Sequence, residues 1–106
     1  MHLKQLNILL ADDDIDDCQF FREALEALPV TTRLTTVNDG EQLMKHLADH
    51  INQLPHVIFL DINMPRKNGF ECLAEIKQTE KLKDLPVVMF STSNAPDKIK
   101  ILFKTG

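Results

Sequence analysis

Residues 7–17 read NILLADDDIDD and join an apolar run to a cluster of acidic side chains. The run at positions 8–11 has no polar alternation, which is typical of a buried strand in a parallel sheet. Five of the six residues from Asp12 to Asp17 are aspartates. Charges this close repel one another, and burying any of them costs free energy. Acids at the end of a core strand therefore need an explanation other than core packing.

The hydrophobic period of the remaining chain alternates between strands and helices. The predicted strands cover residues 5–11, 31–37, 57–60 and 87–91, and the predicted helices cover 15–28, 41–51 and 70–78, with a last helix from Asn94 or Ala95. This alternation indicates an α/β fold, a doubly wound parallel sheet with helices on both faces. In such sheets, sites form beyond the carboxyl ends of the strands, where the strand order reverses.

If the first and third strands are neighbours, that rule brings acids from distant parts of the sequence together. Asp12 and Asp13 follow the first strand, Asp61 ends the third, and Ser91 ends the fourth. Three carboxylates in one crevice require a compensating charge, and oxygen ligands favour a hard cation, Mg²⁺ above all. A phosphoryl group commonly fills the remaining positions of such a cation. The hydroxyl of Ser91 or Thr92 is placed to donate a hydrogen bond to a phosphoryl oxygen.

The other acids of the cluster have a structural interpretation. We expect Asp14 to cap the first helix, and Asp16 and Asp17 to interact with the positive end of its dipole. The cluster also resembles a calcium loop, with acids at loop positions one, three, five and twelve. Asp17 stands where such a loop needs glycine, and a strand precedes the segment, so we disfavour calcium binding.

Composition excludes several classes of function. The formal net charge of −4 disfavours a nucleic-acid-binding surface. No apolar run is long enough to span a membrane, and no signal peptide is recognisable, which suggests the cytoplasm. Cys18 and Cys72 lack metal-like spacing and are predicted to be reduced thiols. We expect a single domain over residues 1–106.

Three motifs resemble those of the receiver domain of two-component response regulators. They are ILLADDD at 8–14, VIFLDINMPRKNG at 57–69, and LPVVMFSTS at 85–93. The resemblance covers the whole chain and implies a flavodoxin-like fold with strand order 2-1-3-4. It also implies a phosphorylation-dependent signalling switch, which catalyses only its own phosphorylation and dephosphorylation and is no free-standing enzyme.

The resemblance assigns roles to individual residues. Asp61 is the expected phospho-acceptor, which attacks a phosphohistidine of a sensor histidine kinase or phosphotransfer protein. Asp13, Asp61 and the backbone carbonyl of Asn63 are the expected Mg²⁺ ligands, with Asp12 acting through water. Ser91 is expected to bind the phosphoryl group and to act as the switch. Asn63 and Ser93 flank the expected path of the hydrolytic water. The sequence names no kinase and no output partner.

One part of the family pattern is missing. Receiver domains carry a Lys-Pro pair after a fifth strand, and the sequence supplied ends at Gly106 before any such pair. We therefore expect the fifth strand and last helix to be absent, with the fourth strand at the sheet edge and Lys104 in a helix. In the intact protein a fifth strand is expected beside the fourth.

Several alternatives remain beside this interpretation. If the protein were an aspartate-based phosphatase, Asp61 would be the first residue of a D-x-D motif, but position 63 is asparagine. A pseudo-receiver used only for protein contacts is disfavoured by the intact acid set. His46 and His50 have the spacing of zinc ligands, but no third ligand is in view. We therefore favour solvated surface positions for both. Arg66 and Lys67 are either a solvated loop or a contact for an acidic kinase surface. The simplest interpretation of Phe20, Phe21 and Phe70 is core.

Overall fold

The computed structural model describes residues 5–92 and 99–105 of the chain. Its elements are β1 (Leu6–Ala11), α1 (Ile15–Glu26), β2 (Thr32–Val37), α2 (Gly40–Asp49), β3 (Val57–Asp61), α3 (Gly69–Gln78), β4 (Val87–Thr92) and β5 (Ile99–Thr105). The predicted elements up to β4 are all present. Their bounds lie within two residues of the predicted ones.

The strands form one sheet in the order β2-β1-β3-β4-β5. The pairs β1–β2, β1–β3 and β3–β4 are parallel, which confirms the predicted order 2-1-3-4. Leu10 lies between Thr36 of β2 and Phe59 of β3. β2 thus lies on one side of β1, and the strands that follow lie on the other side. The strand order therefore reverses between β1 and β3.

Two apolar clusters pack on opposite faces of the sheet. The larger one joins the sheet to α2 and α3 through Leu43, Leu47, Cys72 and Ile76, all fully buried. The smaller one joins Leu10 and Phe90 to Cys18 of α1. On that face the rings of Phe21 and Phe59 meet edge to face, with centroids 4.9 Å apart. The sheet is therefore covered by α1 on one face and by α2 and α3 on the other.

Each helix begins at a polar side chain that accepts backbone N–H groups. Asp14 accepts from the amides of Asp16 and Asp17, which confirms its predicted cap. Asp39 accepts from the Gln42 amide at the start of α2. Asn68 and Glu71 form a reciprocal capping box at α3. Among the described helices, none is long and apolar enough to cross a membrane.

Residues 99–105 are a strand, so the predicted helix is wrong for this segment. β5 runs antiparallel to β4, with Ile101 opposite Phe90 and Thr105 opposite Val87. The expectations of a missing fifth strand and of β4 at the sheet edge are corrected by the same pairing. The position predicted for the helix start, Asn94 or Ala95, lies outside the described residues.

The physical reason for this strand is readable in its sequence. The segment IKILFKT places apolar side chains at every second position, at Ile99, Ile101 and Phe103. The outer edge of β4 offers unpaired N–H and C=O groups that such a segment satisfies. The prediction of a helix did not take this alternation of apolar residues into account.

Two aromatic residues predicted as core are exposed. Phe20 is 63% exposed and Phe70 is 51% exposed. Phe20 precedes the half-buried Phe21, and adjacent residues on a helix point about 100° apart, so only one of them faces the sheet. Phe70 lies in the first turn of α3. Both rings are therefore surface features.

Candidate functional site

Three carboxylates meet at the carboxyl edge of the sheet. Asp12 and Asp13 follow β1, and Asp61 ends β3, the neighbouring strand. One oxygen from each lies within 4.8 Å of the other two. Asp12 and Asp61 are each 1% exposed, whereas Asp13 is exposed. The structure thus brings together the acids that the strand-end rule predicted.

Asp12 is fixed by bonds to its backbone and its side chain. Its N–H donates to the Val37 carbonyl at 3.0 Å, which extends the pairing of β1 with β2. The Asn38 side-chain amide donates to the Asp12 carbonyl at 3.4 Å. The Asp12 carboxylate accepts from the Asp14 amide at 2.9 Å. The carboxylate is therefore held at the end of the strand, with its direction set by the following turn.

Asp61 is fixed by the loop that follows β3. The Asn63 amide donates to the Asp61 carboxylate at 3.2 Å, and the Gly69 amide donates to the Ile62 carbonyl at 2.9 Å. A β-carbon on Gly69 would lie 2.5 Å from the Asp61 carbonyl oxygen. Glycine is required there because α3 starts against the backbone of Asp61. The loop 62–68 is thus closed tightly beside the carboxylate.

The burial of these acids raises their pKa values. Desolvation raises the pKa of Asp12 to about 7, and the nearby Asp61 and Asp17 charges add to the shift. Desolvation also raises the pKa of Asp61, opposed by the Asn63 amide. Two buried carboxylates side by side retain a proton more readily than isolated ones. The two carboxylates therefore repel each other when both are ionised, and a bound cation would relieve this repulsion.

The donor set fits a hard divalent cation. Carboxylates supply all three oxygens of the cluster, and no histidine or cysteine belongs to it. This cluster is the one metal-like group found among the residues described. Exposed Asn63 lies beside the cluster, because its amide donates to the Asp61 carboxylate. The predicted ligand residues Asp12, Asp13, Asp61 and Asn63 are therefore neighbours.

Ser91 lies on the strand next to Asp61. Phe90 is the register partner of Asp61, and half-buried Ser91 follows it at the carboxyl end of β4. Thr92 ends the strand, and Ser93 lies outside the described residues. Lys104 lies opposite Val88, three residues before Ser91 and away from this end. Ser91 is thus the predicted hydroxyl that the strand register brings to the site.

A contact between α2 and the loop after β3 was not predicted from the sequence. Arg66 has a left-handed backbone, with φ of 68°, and its Nε lies 3.3 Å from the carboxylate of buried Asp39. Lys67 pairs with Glu75 of α3. A β-carbon on Gly40 would overlap the Lys67 carbonyl. Residues 38–40, NDG, lie between a predicted strand and a predicted helix, and a capping aspartate before a glycine was the available signal.

The remaining candidates do not belong to the carboxylate cluster. His46 and His50 stack with ring centroids 4.2 Å apart on α2, and His46 is half-buried. Cys18 and Cys72 are free and buried, as predicted, and burial raises the pKa of each thiol to about 11. Neither cysteine is therefore a reactive thiolate.

The sequence as a whole matches a known family. Residues 8–106 match the sequence pattern of the family described as "Response regulator receiver domain". The chain belongs to this family. Its members are phosphorylation-dependent switches of two-component signalling rather than classical enzymes. The recognition made from the three motifs is thereby confirmed.

Two curated relatives illustrate the similarity of this receiver domain. Response regulator Rcp1 of Synechocystis sp. is 38% identical over 96 residues, which are 87% of this chain and 65% of the relative. The probable methanogenesis regulatory protein FilR2 of Methanothrix harundinacea is 32% identical, over 88% of this chain and 62% of the relative. The chain thus spans less than two thirds of either relative.

Solved structures are similar at the level of the fold. The Mn²⁺-bound form of Rcp1 superposes with a TM-score of 0.76 at 38% identity, covering 87% of this chain and 69% of that one. The phosphorylated cyanobacterial phytochrome response regulator RcpA gives 0.77 at 39% identity, covering 89% and 70%. Binding of a divalent metal at the carboxylate cluster thus fits the family.

Proposed function

We propose that Asp61 accepts a phosphoryl group from a phosphohistidine of a sensor histidine kinase or phosphotransfer protein. The carrying observation is the nearly buried Asp61 at the strand end, within 4.8 Å of Asp12 and Asp13 oxygens. A carboxylate oxygen of Asp61 forms a bond to phosphorus, and the bond from phosphorus to the imidazole nitrogen breaks. The electron pair leaves with the imidazole, and Asp61 becomes an acyl phosphate.

Asp13, Asp61 and the Asn63 carbonyl would hold Mg²⁺, with Asp12 contributing through water. When bound, the cation neutralises charge on the transferring phosphoryl group and relieves the repulsion among the acids. Exposed Asp13 makes the entrance of the site acidic, and buried Asp12 and Asp61 lie at its bottom. The preference of all-oxygen sites for hard cations supports Mg²⁺ in this role.

Ser91 acts as the switch in this proposal. Its hydroxyl donates a hydrogen bond to the new phosphoryl oxygen, and the end of β4 shifts toward Asp61. The placement of half-buried Ser91 directly after the register partner of Asp61 supports this role. The altered β4 surface is then available to an output partner. The domain thus converts a local charge change into a change of shape.

Slow loss of the phosphoryl group completes the cycle. Water attacks the phosphorus of the acyl phosphate, and the Asp61 carboxylate leaves with the bonding electrons. Asn63 is exposed beside Asp61 and flanks the approach of this water, whereas the role expected of Ser93 falls outside the described residues. The domain is in this sense a catalyst of its own phosphorylation and dephosphorylation.

The donor kinase is proposed by chemistry and by similarity. RcpA is a cyanobacterial phytochrome response regulator, and its chain is 39% identical to this one. We therefore propose a phytochrome-type histidine kinase as the first donor to test. Exposed Ile15 and Phe20 on α1 lie beside the acidic entrance and offer apolar contacts to such a partner.

The assignment of Asp61 is tested by phosphorylation with a small donor. The protein is incubated with Mg²⁺ and acetyl phosphate, and the intact mass is followed. We expect a gain of one phosphoryl group in the wild type and in the exposed-site control Asp84→Asn, and none in Asp61→Asn. Phosphorylation of Asp61→Asn at the normal rate and in the same peptide contradicts the proposal. Sustained turnover of a small phosphoester without a phosphorylated protein points instead to a phosphatase.

A further inference from the structure

A second polar cavity lies at the other end of the sheet from Asp61. It has a volume of about 350 Å³, at the lower end of the range of small-molecule sites. Its walls come from β1, β2, the end of α2 and the segment after α2. The polar residues that line it are Asn7, Arg33, Thr35, His46, His50 and Gln53.

The strand register explains why these side chains share one wall. Asn7 pairs with Arg33, and Leu9 pairs with Thr35, so all four point to the face that α2 covers. Farther along the same face, Ala11 and Val37 belong to the apolar core. The face therefore changes from apolar near the carboxyl edge to polar near the amino edge, beneath His46 and His50.

The lining has a positive charge and no carboxylate. Arg33 supplies a permanent charge, and none of the lining residues is aspartate or glutamate. In the part of the chain that the structure describes, no acid forms an ion pair with Arg33. The cavity is thus suited to an anion.

Asn7 supplies the second, independent observation. Its backbone is fully engaged by His56, because the Asn7 amide donates to His56 Nδ1 and the His56 amide donates to the Asn7 carbonyl, each at 2.8 Å. Its side-chain oxygen, in contrast, is buried and has no hydrogen-bond partner among the described residues. A buried acceptor of this kind is costly unless a donor reaches it.

The last turn of α2 has one donor beyond its helical hydrogen bonds. The His46 carbonyl accepts from the His50 amide, at 3.1 Å, and also from His50 Nδ1, at 2.9 Å. The ring donor reduces the negative charge at that carbonyl. The stacked rings of His46 and His50 also form a flat wall beside Arg33.

We propose that this cavity binds a small molecule carrying an oxyanion, phosphate or carboxylate, together with a hydroxyl or amino group. The oxyanion pairs with Arg33 and accepts from Thr35 and Gln53. A rotation of the Asn7 amide brings its buried oxygen to the cavity, where the hydroxyl or amino group donates to it. The site is separate from Asp61 and does not depend on phosphorylation. It would make the domain responsive to a metabolite as well as to a kinase.

Amide chemical-shift titration of the full chain, without divalent metal, tests the site. The probes are inorganic phosphate, glycerol 3-phosphate, acetate and lactate, so that oxyanion type and the hydroxyl requirement are separated. We expect saturable shifts at residues 7, 33, 35 and 46, and tighter binding of the hydroxylated member of one pair. Arg33→Gln should weaken that binding about tenfold or more, whereas Arg22→Gln on α1 should not.

Further results decide the proposal. Asn7→Leu should remove the advantage of the hydroxylated probe while binding of the simple oxyanion persists, and both variants should still be phosphorylated at Asp61. Absence of saturable shifts with every probe overturns the proposal. Equal binding by Arg33→Gln and the wild type also overturns it. Saturable shifts at His46 and His50 with Zn²⁺ alone show a metal site instead, contrary to the proposal.

Discussion

Asp12 and Asp61 are buried acids whose raised pKa values come from the same cause, loss of water at the end of two neighbouring strands. Each keeps one backbone N–H donor, from Asp14 or Asn63, which sets the direction of its carboxylate. Asp13 differs, because it is exposed and no described hydrogen bond holds its side chain. The two buried residues therefore shape the site, whereas Asp13 mainly adds charge.

Removal of Asp13 should stabilise the metal-free domain and weaken its response to metal. Asp13→Ala relieves repulsion with two buried carboxylates, so the free energy of unfolding should rise by up to about 1 kcal/mol. The same change removes a proposed Mg²⁺ ligand, so added Mg²⁺ should stabilise the variant less than the wild type. Urea melts with and without Mg²⁺ measure both effects.

Asp16→Ala is the matched control for this experiment, since Asp16 is an exposed acid in the first turn of α1. It should lose a favourable dipole interaction and keep the full Mg²⁺ response. An undiminished Mg²⁺ response in Asp13→Ala would show that Asp13 is not a ligand.

The stability of the metal-free domain should depend on pH through Asp12. Its pKa is raised from 3.8 to about 7 by burial, so the folded state binds a proton that the unfolded state releases. This contribution is fully present below pH 3.8 and is lost as the pH rises toward 7. Asp12→Asn cannot ionise at this position and does not lose this contribution. Its free energy of unfolding should therefore rise relative to that of the wild type as the pH increases across this range.

Urea melts at several pH values without divalent metal give this difference directly. Asparagine keeps an oxygen that accepts from the Asp14 amide, so the turn after β1 is retained. A difference between the two proteins that stays constant from about pH 4 to about pH 7 would rule out Asp12 as the titrating group.

At the scale of elements, α2 is coupled to the loop that carries Asn63. Asp39 caps α2 by accepting from Gln42, and the same carboxylate lies 3.3 Å from Arg66 Nε in that loop. Gly40 permits the close approach of α2 to Lys67. The loop beside Asp61 is thus supported from a helix that contributes no site residue.

Substitutions at Asp39 should separate the cap from the ion pair. Asp39→Ala removes both and should cost at least about 1 kcal/mol of stability through loss of the cap alone. Asp39→Asn keeps a capping oxygen and should lose less, matching Arg66→Gln. All three should slow acetyl-phosphate labelling of Asp61, because the loop is less firmly held.

Thermal melts and labelling rates, measured on the same samples, distinguish these effects. If Asp39→Asn and Arg66→Gln label Asp61 at the wild-type rate, the ion pair has no part in positioning the loop. The result for Asp39→Ala then reports only on the stability of α2.

At the scale of the whole molecule, the order of the first four strands was predicted only through the resemblance of three motifs to receiver domains. The continuous apolar strands ending at Ala11 and Asp61 indicate a parallel sheet, and once these strands are neighbours their carboxyl ends bring the acids together. The strand at 99–105 was not predicted. Its apolar residues alternate as in a strand, but the βα order of the fold favoured a helix after β4. The support of the Asp61 loop by Asp39 and Gly40 was not predictable, since it depends on tertiary contacts of residues that locally indicate only a turn.

The pairing of β5 with β4 should protect the amides of β4 from hydrogen exchange. Successive N–H groups of an edge strand point alternately toward and away from its partner. Of the variants Lys100→Pro and Ile101→Pro, one therefore removes a donor directed at β4 and the other serves as its matched control. We expect one variant to lose protection at residues 87–91 and the other to keep it. Rapid exchange of these amides in the wild type would contradict the pairing.

The contact of Gly40 with Lys67 has a consequence for genetic compensation. A β-carbon at position 40 would overlap the Lys67 β-carbon, the Cys72 sulfur and, most closely, the backbone carbonyl oxygen of Lys67, which every amino acid carries. No replacement at position 67 therefore makes room for a side chain at position 40. In a library that randomises both positions, functional clones should keep glycine at 40 whatever residue occupies 67, and suppressors of Gly40→Ala should arise where they move the loop as a whole.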